Sequence, residues 1–181
     1  LEPGAPITWG VDVARMGADE TVIVERRGPV AKVIATFRKL DTMQVAGRIA
    51  RLYALAEEQP EAINVDEIGI GAGVLDRLDE VSLPGVGVNL RAEIYWTLRE
   101  RFEAGEIDIE EDDELAAQLA AQRYLITSSG KVQLESKSEQ SGSPDRADAL
   151  SLAFIARRPD ITRTENIDFG DFGLRSSPWQ S

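Results

Sequence analysis

The stretch ITWGVDVARMGADETVIVERRG, residues 7–28, sets an aspartate inside a run of strand formers and then doubles the chain back on itself. ITWGVDVAR (7–15) alternates and is rich in β-branched and aromatic residues, which reads as a strand. MGADE follows as a turn containing Gly17 and Asp19. TVIVERRG and PVAKVIATFRKL then read as a strand pair, with Gly28 and Pro29 making the hairpin turn. Three antiparallel strands are therefore expected at the start. Asp12 lies between Val11 and Val13 in the first of them. A charge inside an apolar strand is costly unless it is paired or coordinates a cation. The plainer alternative is a half-exposed strand that turns Asp12 to solvent.

Beyond the hairpin, helices alternate with short apolar strands. DTMQVAGRIARLYALAEEQ (41–59) has Val45, Ile49, Leu52 and Leu55 at helical spacing, with Asp41 as N-cap. EAINVDE (61–67) suits a buried strand, and IGIGAGVLDRLDE turns through glycines into a helix. GVGVNL (85–90) is another short strand, and RAEIYWTLRERFEAG (91–105) an amphipathic helix ended by Gly105. EDDELAAQLAAQ (111–122) is a helix with acids in its first turn, where the dipole favours them. RYLITSSGKVQLES reads as a second hairpin around Ser129 and Gly130, SEQSGSPD as a loop and ADALSLAFIARR as a helix. The expected fold class is α/β, a mixed central sheet flanked by helices. Residues 1–158 form that domain, and 159–181 are expected to be an extended or partly disordered tail.

Composition narrows the chemistry. The chain has 181 residues, no cysteine and no histidine. That excludes disulfides, thiolate and imidazole metal sites, cysteine nucleophiles and every Ser-His-Asp triad. Carboxylates must therefore carry any acid-base or metal chemistry. No apolar run approaches the length of a membrane span, and LEPGAPITWG has no signal-peptide pattern. The net charge of −12 is opposite in sign to that of most nucleic-acid binders, so a nucleic-acid reading must explain how the chain meets a polyanion.

Four aspartates stand out. Asp66 finishes a buried-type strand just before a glycine-rich turn, where ligands gather in α/β sheets. Asp145 and Asp148, in GSPDRADALSLAF (142–154), are i and i+3 and share a helix face, with Pro144 suited to the first turn. Each has a bland alternative: Asp145 as a helix cap, Asp148 as surface, Asp66 as a turn residue. Glu67 and Asp19 read as solvent or turn residues on their own. Jointly, carboxylates meeting at one point would repel unless a cation is present. Mg2+ or Mn2+ fits an all-oxygen set, and two such ions about 3.5–4 Å apart form the clamp for in-line phosphodiester cleavage.

The order of first-strand acid, later-strand acid and final-helix acid resembles the RNase H-like nuclease superfamily. WGVDVARMGADETVIVERRG, NVDEIGIGAGVLDRL, VNLRAEIYWTLRERFEAGEI and SGSPDRADALSLAF together resemble the C-terminal nuclease domain of the large terminase subunit of tailed bacteriophages, over residues 8–156. The resemblance implies a metal-dependent endonuclease that cuts concatemeric double-stranded DNA during packaging, using two Mg2+ or Mn2+ ions. It assigns Asp12 and Asp66 as metal ligands and offers both Asp145 and Asp148 for the last position, with Asp148 slightly first. It also makes Asp19 a support for the second ion and Lys137 a candidate phosphate contact; Arg91, with Arg26, Arg27, Arg99, Arg101 and Arg123, is a candidate for local DNA contact whose plainer reading is a solvated helix or hairpin face. The loop SKSEQSGSPD carries only Lys137, fewer basic residues than this family often has there. The implied partners are the ATPase domain of the same subunit, the portal protein and the small terminase subunit, and the implied setting is the host cytoplasm during virion assembly. No G-x-x-x-x-G-K-[ST] motif is present, so the ATPase is not within this chain.

Three rivals remain at this point: a junction resolvase or transposase core, an actin/hexokinase-like nucleotide-binding fold, and a non-catalytic partner-binding module. A resolvase would need a more basic cleft. The actin-like fold would need a second phosphate loop.

Overall fold

A computed structural model describes residues 4–14, 19–88, 91–126, 132–134 and 143–155. The chain begins with an antiparallel meander of β1 (Ile7–Asp12), β2 (Glu20–Arg27) and β3 (Val30–Arg38). α1 (Thr42–Leu55) then leads to β4 (Ala62–Asp66), α2 (Gly71–Glu80) and β5 (Gly85–Val88). α3 (Arg91–Glu103), β6 (Asp108–Ile109) and α4 (Asp113–Ala120) follow. The hairpin of β7 (Tyr124–Ile126) and β8 (Val132–Leu134) precedes the last described helix, α5 (Asp145–Ala153). Six strands form one sheet in the order β5-β4-β1-β2-β3-β6, with β4 parallel to β1 and β5 parallel to β4. The expected mixed sheet is present, and β1 lies inside it.

Alternation along the strands sorts the core into two layers. Ile7, Trp9 and Val11 of β1 pack with Ile63 and Val65 of β4 against Val45 and Ile49 of α1 and Val74 and Leu78 of α2. The opposite face receives α5, whose Ala147, Ala149, Leu150 and Ala153 pack with Val22 and Val24 of β2, Tyr95 and Leu98 of α3 and Leu115 of α4. Both faces are thus covered by helices.

Helix ends follow local chemistry. Asp41 accepts the Gln44 amide at 2.8 Å and the Gln44 side chain accepts the Asp41 amide at 3.0 Å, a reciprocal capping box. Beyond α3, Gly105 has φ of +70°, Glu106 N–H donates to Arg101 O at 2.9 Å and Gly105 N–H to Phe102 O at 3.1 Å. These bonds complete a Schellman ending that needs a residue without a Cβ penalty.

Some sequence expectations require correction. Leu55 is 70% exposed. At 100° per residue it lies about 80° round the helix from Val45, off the stripe that reaches the sheet. Pro144 is the N-cap of α5 and not a first-turn residue. The two-residue β6 pairs with the start of β3 and was not expected. The hairpin around Ser129 and Gly130 has its strands, but the turn and the tail 159–181 lie outside the described residues. Among the described residues no helix is long and apolar enough to cross a membrane.

Candidate metal centre

The site begins with two neighbouring strands. Val11 pairs in register with Val65, so Asp12 and Asp66, the last residues of β1 and β4, end the parallel pair side by side. Their side chains leave the same face as Gly10 and Asn64, two residues earlier. Both of those residues mark the face taken by α5. A Cβ on Gly10 would fall inside the backbone of Ala149 and Ala153. The Asn64 side chain donates to Leu152 O at 2.8 Å while only 3% exposed. Glycine here permits helix and strand to touch, and the amide supplies a donor for a buried carbonyl.

The amino end of α5 consequently reaches the edge where β1 and β4 finish. Asp145 is 6% exposed and accepts the Glu20 amide at 2.8 Å, at the start of β2, as well as the Ser143 hydroxyl. Asp148, equally buried, accepts the Tyr95 hydroxyl at 2.6 Å. Asp66 is half-buried and accepts the Ile68 amide at 3.0 Å, closing its own turn. A Cβ on Gly71 would run into the Asp66 carbonyl, so α2 starts directly against that turn. Asp12 is 5% exposed, which excludes the half-exposed reading of β1.

Asp12, Asp66, Asp145 and Asp148 therefore share one edge of one sheet. They are not drawn into a tight cage: among the described residues no three acidic side chains stand ready as ligands of a single ion. The carboxylates of Asp145, Asp148 and Asp66 are instead turned to protein donors. As a donor set the edge fits a hard divalent cation, being all carboxylate and largely buried. Asp19 is exposed, just before β2. Lys137 and the Arg91 side chain lie outside the described residues.

Four supporting residues escaped the reading of the sequence. Gly10 had a signal, since glycine inside a strand often marks close backbone approach. Asn64, polar within an apolar strand, had a weaker one. Tyr95 had none, because only tertiary packing brings it to Asp148; Ser143 reaches Asp145 locally, two residues along the chain, as serine hydroxyls do beside a helix start.

Next to the acids, Arg146 Nη1 meets Asp112 Oδ2 at 2.6 Å and Nη2 meets Glu114 Oε2 at 2.9 Å. The Arg146 and Ala147 amides donate to the Gln118 side chain at 2.8 and 3.1 Å. α4 is thus latched to the first turn of α5. Burial raises the Asp112 carboxyl, but the Leu115 amide and the Arg146 guanidinium outweigh it and hold it below its ordinary value.

No protein-family model matches the chain, and no curated protein matches it. Solved structures do. The nuclease domain of the large terminase subunit of bacterial virus Sf6 superposes with a TM-score of 0.73 at 20% identity, covering 86% of this chain and 90% of that one. The large terminase nuclease from thermophilic phage G20c gives 0.69 at 16% identity, covering 84% and 83%. The same phage protein with bound magnesium gives 0.67 at 19% identity, covering 84% and 82%. At these identities the likeness concerns the fold, which is RNase H-like.

Proposed function

We propose that this chain is the nuclease domain of a phage large terminase, a divalent-metal-dependent endonuclease that cuts double-stranded DNA during packaging. The observation that carries the reading is the side-by-side ending of β1 and β4 in Asp12 and Asp66, beneath a helix that brings Asp145 and Asp148 to the same edge. The overlap with terminase nucleases, some solved with magnesium or with manganese, supports it.

Asp12, Asp66 and Asp148 would hold the metal, with Asp145 beside them; Mg2+ or Mn2+, as a pair of ions, supplies an activated water and charge stabilisation at the cleaved phosphate. The chain's own part is placement. Asn64 and Gly10 fix the height of α5 over the sheet, Tyr95 orients Asp148, and the Glu20 amide and Ser143 orient Asp145. Concatemeric viral DNA is the substrate in this reading. The ATPase domain, the portal protein and the small terminase subunit are the partners, and the host cytoplasm is the setting.

Incubation with supercoiled plasmid and Mn2+ or Mg2+ tests the assignment. Wild type should nick and linearise the plasmid, and EDTA should stop it. Asp12→Asn and Asp66→Asn should each abolish cutting while retaining a cooperative thermal transition. Cutting by a folded Asp12→Asn protein, or cutting undiminished in EDTA, would overturn the reading.

A further inference from the structure

Asp12 pairs across the ladder with Val22, and Val22 with Thr36; two residues further along, Glu20 pairs with Arg38. The start of β2 and the end of β3 therefore stand one step beyond Asp12, at the same end of the sheet. They also share its face. Val22 and Val24 pack under α5, so by alternation Glu20 belongs to that side, and Arg38 directly opposite joins it. Contacts close the link. The Glu20 amide donates to Asp145 at 2.8 Å, while the Glu20 carboxylate accepts Arg38 Nε at 2.6 Å and Nη2 at 2.5 Å. Two strand spacings, about 10 Å, separate β3 from β1.

The ion pair is lopsided. The Glu20 side chain is 15% exposed and the Arg38 side chain 65%. The carboxylate braces the root of the guanidinium on one side, and the Nη1 side of the fork faces outward with donors for a further acceptor. Lys39 follows, exposed, with φ of +56°. That left-handed bend is uncommon for a residue with a side chain, and it sets a second cation at the strand end. Lys39 has no carboxylate at ion-pair distance among the described residues. Arg146, one residue from Asp145, is by contrast tied to Asp112 and Glu114.

We propose that Arg38 and Lys39 grip the DNA backbone next to the scissile phosphate, on the β3 side of the acidic edge. The inference rests on the nuclease reading and adds to it the residues that hold the substrate. It answers the charge problem: carboxylates at the edge repel a polyanion, and a braced guanidinium fork about 10 Å across the sheet attracts it. A cross-strand ion pair made only for stability would account for Glu20 with Arg38, but not for the unpaired cation that follows. An acidic peptide would meet the same two cations. Only a nucleic acid brings one phosphate to them and another to the metal-binding carboxylates.

Fluorescence anisotropy of a short labelled duplex, titrated across salt concentrations in Ca2+, tests the grip. Arg38→Gln with Lys39→Gly should weaken binding and reduce the slope of log K against log salt by about 1.8, two contacts at about 0.9 each. Glutamine keeps a donor for Glu20, and glycine suits φ of +56°, so the double variant should fold. Arg38→Lys alone should keep the slope. Arg48→Ala with Arg51→Ala, on the helix that packs against the opposite face, should leave both affinity and slope near wild type. In Mn2+ the Arg38/Lys39 variant should cut with a raised KM and an unchanged kcat, the sign of lost uniform binding. Wild-type affinity and slope in that variant overturn the proposal, as does an equal loss in the Arg48/Arg51 variant or a wild type that binds no duplex. Cutting by Asp12→Asn is scored separately. Cutting lost in Asp12→Asn with an unchanged slope in the Arg38/Lys39 variant removes the grip and keeps the nuclease. A reduced slope with Asp12→Asn still cutting removes the nuclease site and keeps the DNA contact.

Discussion

Tyr95 of α3 donates its hydroxyl to Asp148 of α5 at 2.6 Å, with both residues buried. The bond ties a carboxylate at the acidic edge to the neighbouring helix α3. A hydrogen bond to a charged group contributes about 1.5–3 kcal/mol. Tyr95→Phe keeps the ring in the core and removes only that donor. It should lower unfolding stability by roughly that amount, read as a shifted urea midpoint with an unchanged m-value.

Gly10→Ala is expected to be far more damaging than its one added carbon suggests. The new methyl would compete with the backbone of Ala149 and Ala153. Overpacking of this kind costs about 1–3 kcal/mol when side chains can yield, and here only backbone is in the way. α5 must lift, taking Asp145 and Asp148 with it. A soluble Gly10→Ala protein should therefore show a lower melting temperature and lose metal-dependent cutting together.

Metal binding should register without any DNA. A ligand that binds only the folded state at a hundredfold excess over its Kd stabilises by about 2.7 kcal/mol. For a chain of this size each kcal/mol shifts the melting temperature by about 2–4 °C. Mn2+ should thus raise the wild-type transition by several degrees. In Asp66→Asn and Asp148→Asn the rise should shrink or vanish, a calorimetric readout independent of catalysis.

Arg146→Ala probes the latch between α4 and α5. The ion pairs to Asp112 and Glu114 are partly exposed, so the loss at neutral pH should be about 1 kcal/mol. Its pH dependence follows from the lowered Asp112 carboxyl. A depressed carboxylate contributes stability that is fully present above its unfolded value, about 3.9, and lost as pH falls through the folded value. The stability gap between wild type and Arg146→Ala should be flat at higher pH and narrow below about pH 4. Urea titrations at successive pH values measure it.

Much of this was legible in the sequence because period-two alternation constrains a strand strongly. Asp12 among valines and Asp66 at the end of AINVD were placed on strands by pattern alone, and the i, i+3 spacing put Asp145 and Asp148 together. What stayed hidden was set by contacts between distant segments. Whether Asp12 faced solvent or a helix depended on α5 covering Gly10. Tyr95 reaches Asp148 only through the packing of α3 on α5. The two pairs of β6 exist because β3 offers an edge, not because residues 108 and 109 favour a strand. Leu55 misleads because its apolar character continues the spacing while the helix has rotated it off the stripe that Tyr53 and Ala56, on either side of it, still share with the core.

The bond from the Glu20 amide to Asp145 spans 125 positions of chain. A polypeptide emerging from the ribosome can therefore build its opening meander early, yet it keeps an incomplete set of acids until α5 has been synthesised and docked. On the ribosome the edge can be completed only after α5 has emerged, and contacts of such long range carry a high loop-closure cost. For a protein that would sever DNA, that delay means a half-made copy carries no finished blade.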